Sequence, residues 1–383
     1  MTPLDIAKKY IARDWAVIPI PHGEKGPKIK GWDQLKITPE NVAQYFNSGP
    51  QNIGVQMGPK SGGLADVDLD CPEAVRLAHY FLPETGAVFG RPSKPSSHHE
   101  YLVTDPKPVS VIAHRDDNQA VILELRIGVT GAAQTVFPGS RHVSGEMIEW
   151  VRNGAPANVP FKALARAVRG IAVASLLLRH WHHDGAHDMA LRIGGFLARA
   201  GATQEDIGKI VTIVAHEAGG SAGAVKNHSR TAKDAADAYA EGKPTYGLPA
   251  LRECLGEKGA NALARILDYR GDNILDPTDP MRSAREIVVN NFTKDGTQTL
   301  HRHRGAFWEW TGNHFHLVDD ETIRAGIWAF LEQAKRLEKV KDLSTGKDLS
   351  PVQWQTVPFK PTRTRVGDVF DALGAVTQLD KIH

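Results

Sequence analysis

The stretch GLADVDLDCPEA, residues 63–74, sets Asp66, Asp68 and Asp70 at alternate positions, with Val67, Leu69 and Cys71 between them. Alternation of this kind marks a strand, because side chains at i and i+2 point to the same face. Asp66 and Asp68 therefore share a face, with Cα atoms roughly 6–7 Å apart. Val67 and Leu69 turn to the opposite face and anchor the strand in a core. Like charges this close resist ionisation unless a cation sits between them. Hard divalent cations such as Mg²⁺ take oxygen ligands of this type. A pair of them about 4 Å apart can serve in-line phosphoryl transfer. A solvated strand face would carry the same pattern. Asp70 reads differently: DCPE fits a D-x-x-E capping box with Pro72 in the first helical turn, which makes Asp70 the expected helix N-cap.

A third carboxylate is found in AVILELRIG, residues 120–128. Val121, Leu123, Leu125 and Ile127 line one face of this predicted strand, and Ile122, Glu124 and Arg126 line the other. Glu124 is a charge inside an apolar strand. It either completes the metal site or pairs with Arg126 on a solvated face, and Arg126 is equally placed to meet a triphosphate. PSKPSSHHEYLV puts Ser97 and His99 just ahead of a strand, and TVFPGSRHVSGEMIEW puts Ser140 and His142 in a turn. Hydroxyls and imidazoles offer donors to phosphate oxygens. In a chain with 17 histidines, single ones carry little weight.

Composition bounds the possibilities. The chain has 383 residues, 41% hydrophobic and 23% charged, which suits a globular protein of two to three domains. The two cysteines, Cys71 and Cys254, support neither a disulfide framework nor a thiolate zinc site. MTPLDIAKKY lacks the apolar core of a signal peptide, and no apolar run approaches the roughly 20 residues of a membrane span. The expected compartment is a reducing cytoplasm, with no membrane partner. Net charge is only +2, so nucleic-acid affinity must come from local patches. Three basic stretches qualify: EKGPKIKGW with Lys25, Lys28 and Lys30, HRHRGAFWEW (301–310), and KPTRTRVG (360–367). The second interleaves cations with Phe307, Trp308 and Trp310. Such rings stack on unpaired bases at about 1–3 kcal/mol each, although a hairpin core is the simpler reading.

Along the chain, residues 1–150 read as α/β. DIAKKYIARDW has helical spacing, while AVIPIP, NIGVQMG and LADVDLD read as strands. NGAPANVP (153–160) is a linker, and the pattern is helical from Phe161 to about Glu241. From about Pro280 it is mixed: SAREIVVNNF suggests a helix, GAFWEWTGNHFHLV a hairpin, and DDETIRAGIWAFLEQAKRLEKV one long amphipathic helix. HWHHDGAHD (180–188) places His182, His183 and His187 at helical spacing, but no cysteine or clear fourth ligand supports zinc there.

Taken in order, these stretches resemble the primase–polymerase domain of the archaeo-eukaryotic primase superfamily, in the form found in plasmid and phage replication proteins. DWAVIPIPHGEKGPKIKGW matches its opening strand and K-x-P…W segment, and NIGVQMGPKSGGLADVDLD its strand–turn–strand ending in D-x-D. SSHHEY matches the S-x-H motif. LELRIG with TVFPGSRHVSGEMIEW matches the third acidic position and the P-x-S-x-H…G…W segment. The sequence departs from the family in having Ser96-Ser97 where many relatives have Gly-Gly, and Glu124 where Asp is common.

The resemblance implies an α+β catalytic domain over 1–155 with an RRM-like sheet, a helical domain over 161–243, and over 280–383 an α/β segment like those that precede a superfamily 3 helicase. It implies that Asp66, Asp68 and Glu124 bind two Mg²⁺ or Mn²⁺ ions, and that His99, Arg126, Ser140 and His142 hold an NTP or dNTP. The implied activity is primer synthesis and extension on a single-stranded DNA template, in a bacterial host or phage-infected cell. A helicase in cis or trans is the implied partner. No G-x-x-x-x-G-K-[ST] loop is present, so the chain reads as a fragment of a longer protein or a form without its motor. Two other functions fit the same carboxylates: a metal-dependent phosphodiesterase, and a non-catalytic DNA-binding module of replication initiation.

Overall fold

The structure is a computed structural model that describes residues 1–47, 49–241, 243, 245–269, 274–294, 297–339 and 354–379. It is mixed α/β and divides into two compact units. The first comprises Met1–Ile193, Glu205–Lys233 and Pro249–Asp268, and the second Gly194–Gln204, Asp234–Leu248 and Tyr269–His383.

The first unit opens with helix α1 (Pro3–Ile11), started by a capping box between Thr2 and Asp5. Strand β1 (Val17–Pro21), the short helix α2 (Val42–Tyr45), β2 (Gln51–Gln56), β3 (Leu64–Leu69) and helix α3 (Pro72–Phe81) follow. Then come β4 (Ala87–Arg91), β5 (Lys94–Val103), β6 (Val111–Arg115), β7 (Val121–Arg126), β8 (Gln134–Val136), β9 (Glu149–Asn153) and β10 (Ala157–Val159). A seven-stranded sheet runs β6-β7-β3-β5-β4-β9, with β10 added parallel to β5, and a three-stranded sheet runs β1-β2-β8. Helices α4 (Phe161–His180), α5 (Ala186–Arg199), α6 (Gln204–Glu217), α7 (Ala222–Ala240) and α8 (Leu248–Ile266) give the helical stretch. No described helix is long and apolar enough to cross a membrane.

All six residues of β3 are buried, which excludes a solvated strand face. One face of the large sheet is closed by α3 and α4, which pack together and against β3, β6 and β7. The other face joins an aromatic-rich core that includes Tyr10, Trp15, Phe46, Leu64, Phe89 and Phe137. Here two chain segments touch backbone to backbone. A Cβ on Gly58 would lie 2.4 Å from the Ile127 carbonyl oxygen, and one on Gly128 would lie 2.7 Å from that of Met57. Both glycines have left-handed φ, +82° and +67°, a region that costs other residues free energy.

Three sequence expectations change. Helix α3 begins at Pro72 with Cys71 as N-cap and no side-chain cap bond, so Asp70 is not the cap. Its carboxylate turns instead to Lys94 Nζ at 3.3 Å. Ser97 and His99 lie within β5, not ahead of it.

In the second unit, the long helix expected after Asp319 stops early. The unit contains α9 (Pro280–Asn291), β11 (Thr293–Lys294), β12 (Thr297–Gln298), β13 (Leu300–His303), β14 (Ala306–Trp310) and β15 (Phe315–Val318). Next are α10 (Asp320–Gln333), β16 (Lys335–Lys339), β17 (Trp354–Pro358) and α11 (Arg363–Val376). KRLEK is thus a strand paired with β17, because cross-strand pairing supplies its backbone partners where the helix ends. The unit has its own core, with Leu300, Phe307, Ile323, Phe330 and Phe370.

Substituting Gly58→Ala should destabilise the first unit by about 1–3 kcal/mol, through left-handed strain and the carbonyl contact. Urea denaturation would read this as a lower midpoint at an unchanged slope.

Candidate active site

Strand register builds the site. In β3, Asp68 stands opposite His98 of β5 and Glu124 of β7, and Asp66 stands opposite Glu100 and Arg126. Directly opposed residues share a face, so six ionisable side chains form two rows of three on one sheet face. An apolar strand face cannot hold such a set without internal compensation, since each buried charge costs several kcal/mol.

Arg126 provides most of it. Its guanidinium donates to Asp66 Oδ2 at 3.1 Å, to Asp68 Oδ2 at 2.7 Å, and to Glu124 Oε2 at 2.8 and 3.1 Å. Asp66 is fully buried. It also accepts from Thr135 Oγ1 at 2.6 Å and lies 3.1 Å from His98 Nδ1. Burial alone would raise its pKa, but His98, Arg126 and Thr135 outweigh burial and lower it. His98 is itself buried, yet Asp68 and Asp66 raise its pKa above the ordinary value. Its ring stacks on Phe89, with centroids 4.6 Å apart. Glu100 is fully buried and neither carboxyl oxygen meets a hydrogen-bond partner. Burial and the charge of Asp66 raise its pKa well above its ordinary value.

A cavity of about 440 Å³ opens on this face. Carboxylates line it at Asp68, Asp70 and Glu124, and basic or imidazole side chains at Lys25, Arg91, Lys94, His98, Arg126 and His142. Burial and the charge of Asp68 push the Asp70 pKa up. The loops around Lys25 and His142 are tied down by Asn52, which is fully buried. Its Nδ2 donates to the carbonyls of Glu24 at 3.0 Å and Arg141 at 2.7 Å, and its Oδ1 accepts from the Arg141 amide at 2.8 Å. Gln134 Nε2 holds the Lys25 carbonyl at 2.8 Å.

The sequence candidates therefore separate. Asp68, Glu124, Arg126, His142 and Lys25 line the cavity. Asp66 lies beneath it, saturated by its neighbours, and holds Arg126 and His98 in place. His99 is on the opposite face, paired across from Val67, with its Nε2 near the Ser96 carbonyl at 3.1 Å. Burial lowers its pKa to about 4. Ser140 is also turned away: it is buried, and its Oγ accepts from the Ile53 amide at 2.8 Å. Lys28 and Lys30 are exposed, and Lys28 pairs with Glu24 at 2.8 Å. The sequence reading missed His98, Asp70 as a lining group, Arg91, Lys94, Thr135 and Asn52. The parity of Asp68 and Glu124 would have found His98 had the β3–β5 register been known.

Residues 7–162 match the family model for the bifunctional DNA primase/polymerase N-terminal domain. This segment is similar to a Prim-Pol domain. The match covers less than half of the 383 residues, yet it contains every cavity-lining residue. It supports a primase/polymerase-type nucleotidyltransferase in general, and with it binding of DNA and nucleotide. No curated protein is similar enough to the chain to count as a match.

The Prim-Pol family is generally metal-dependent, and the donor set suits a hard cation. Asp68, Asp70 and Glu124 offer only oxygens to the cavity. Among the described residues, however, no three of His, Cys, Asp or Glu are gathered as a ready metal cage, the trio at residues 182–187 included. Arg126 is the cation among these carboxylates, and a bound metal would compete with it for the same oxygens. Arg126→Met should therefore lower stability by about 3 kcal/mol, the lower end for a broken buried pair because the guanidinium side chain is 20% exposed. Millimolar Mn²⁺ should recover part of this loss in a denaturation series. No recovery would mean that the carboxylates do not take the ion.

Proposed function

We propose that the first unit is a DNA-dependent nucleotidyltransferase that makes and extends primers on single-stranded DNA. The supporting observation is the cavity itself, lined both by three carboxylates and by lysine, arginine and histidine side chains. A nucleoside triphosphate with a divalent cation brings charges that match both sets. A phosphodiesterase would need the carboxylates but has little use for so many basic groups. The lining residues run from Lys25 to Ile148, which supports residues 1–155 as the catalytic segment. We carry 161–243 and 280–383 as further segments, the first as an aid to binding template or initiating nucleotide.

In this reading Asp68, Asp70 and Glu124 hold Mg²⁺ or Mn²⁺. When bound, such ions neutralise phosphate charge and lower the pKa of an attacking hydroxyl. Lys25, Arg91 and Lys94 take the triphosphate oxygens. His98 occupies the place expected of His99. Asp68 and Asp66 favour its charged form, and its ring borders the cavity. Asp66 is a positioning residue, since its oxygens are spent on Arg126, Thr135 and His98. The primer 3′-oxygen attacks the α-phosphorus in line and pyrophosphate leaves, so the protein contributes mainly orientation and charge.

Synthesis on primer-free single-stranded DNA, with NTPs and dNTPs supplied separately, tests this. Asp68→Asn and Glu124→Gln should each lower product formation by about 10³-fold, and His98→Ala by about 10²-fold. His99→Ala should leave it within about threefold, as a residue outside the cavity would. Activity surviving Asp68→Asn would remove the reaction from this cavity. Equal losses at His98 and His99 would overturn the exchange of roles.

A further inference from the structure

The second unit carries a feature that the nucleotidyltransferase cavity does not use. Strands β13, β14 and β15 form an antiparallel sheet with one face in the core and one outside. Register pairs His301 with Trp308 and Trp308 with Leu317, and it pairs Trp310 with Phe315. All five therefore lie on the outer face, and His303 and Ala306 extend it. Leu300, Phe307 and Val318 take the other face and are buried. Trp310 is 38% exposed, Phe315 47% and Leu317 59%. The rings meet at an angle: Trp310 and Phe315 have centroids 5.0 Å apart at 54°, and His301 and Phe315 5.8 Å apart at 70°.

We propose that this outer face is a base-stacking platform for single-stranded nucleic acid. The proposal rests on the reading of the chain as an enzyme of single-stranded DNA. Chemistry selects the occupant. The outer positions of the three strands carry aromatic rings and imidazoles and no carboxylate. His303 and Arg304 are exposed at the β13–β14 turn, and Asn313 and His314 at the β14–β15 turn. The rings give the π-faces of bases their partners, and Arg304 adds one fixed cation at the turn. Of the carboxylates that follow β15, Asp319 is engaged as the cap of α10, accepting from the Thr322 amide at 2.8 Å and its hydroxyl at 2.7 Å. A second copy of the chain would favour a continuous aliphatic patch, whereas imidazoles interrupt this one. A sheet face with exposed aromatics accepts successive bases without sequence preference, because every base has a π-face. With few fixed cations on the face, binding here depends little on salt.

The test is anisotropy of labelled oligo(dT) with the full chain at two salt concentrations. Trp310→Ala should weaken binding about tenfold, and Trp310→Ala with Phe315→Ala about a hundredfold. The loss should be equal at both salts, and Trp310→Phe should restore most of it. Oligo(dT) should quench tryptophan fluorescence, and Trp310→Phe should reduce the quench, which gives a readout independent of the alanine variants. A double variant with unchanged melting temperature and unchanged affinity overturns the platform. So does conversion of a dimer to a monomer by light scattering without loss of DNA affinity. If the platform variants lose binding while the parent chain synthesises nothing, the platform stands and the nucleotidyltransferase reading fails. If they bind and synthesise normally, the reverse holds.

Discussion

One guanidinium facing three carboxylates is the constraint on which the first unit depends. Asp66 and Asp68 lie on a strand buried on both faces, where two uncompensated charges would cost more than the fold's whole margin. Arg126 reaches both, and Glu124 as well, because β7 pairs beside β3 in register. Slip that pairing by one residue and Arg126 and Glu124 would exchange faces with Leu123 and Leu125. The charge set therefore opposes a one-residue slip of β3 against β7, as the apolar face also does.

The same constraint divides labour among the acids. Asp66 has every oxygen engaged and no exposure, so it serves the architecture. Glu100 is fully buried, and burial with the charge of Asp66 disfavours its ionised form. Asp68, Asp70 and Glu124 border the cavity, where an exchangeable cation can reach them. Burial depth separates roles that side-chain chemistry alone leaves equal.

Much of this was legible in the alternation of residues 63–70 and 120–128. Period two gave strands and faces, and the family resemblance suggested that Asp66, Asp68 and Glu124 belong together. Parity in the third strand was not legible. His98 and His99 are adjacent, and choosing between them requires the β3–β5 register, which is a tertiary fact. Ser96, at φ +55°, adds a local irregularity that no periodicity reveals. Asp70 was misread for a similar reason. A capping box and a cavity carboxylate differ there by a helix start displaced by one residue. Nothing in the sequence shows that the Ser140 hydroxyl accepts from a backbone amide in the core. KRLEK was misread because amphipathic periodicity runs on past Gln333, whereas the backbone turns to a strand partner.

The aromatic hairpin shows the same logic with the opposite outcome. Read as a composition, HRHRGAFWEW offers a core or a stacking surface. Read through its register, it offers both, because alternation sends Phe307 inward and Trp308 and Trp310 outward. Phe307 anchors the strand against Phe370, with ring centroids 5.6 Å apart, and that anchoring holds the outward rings on a rigid sheet. Rings held by a sheet have less conformational entropy to lose on meeting a base than rings on a loop would. In both units, then, the buried face of a strand fixes the register, and the register determines which chemistry the other face presents.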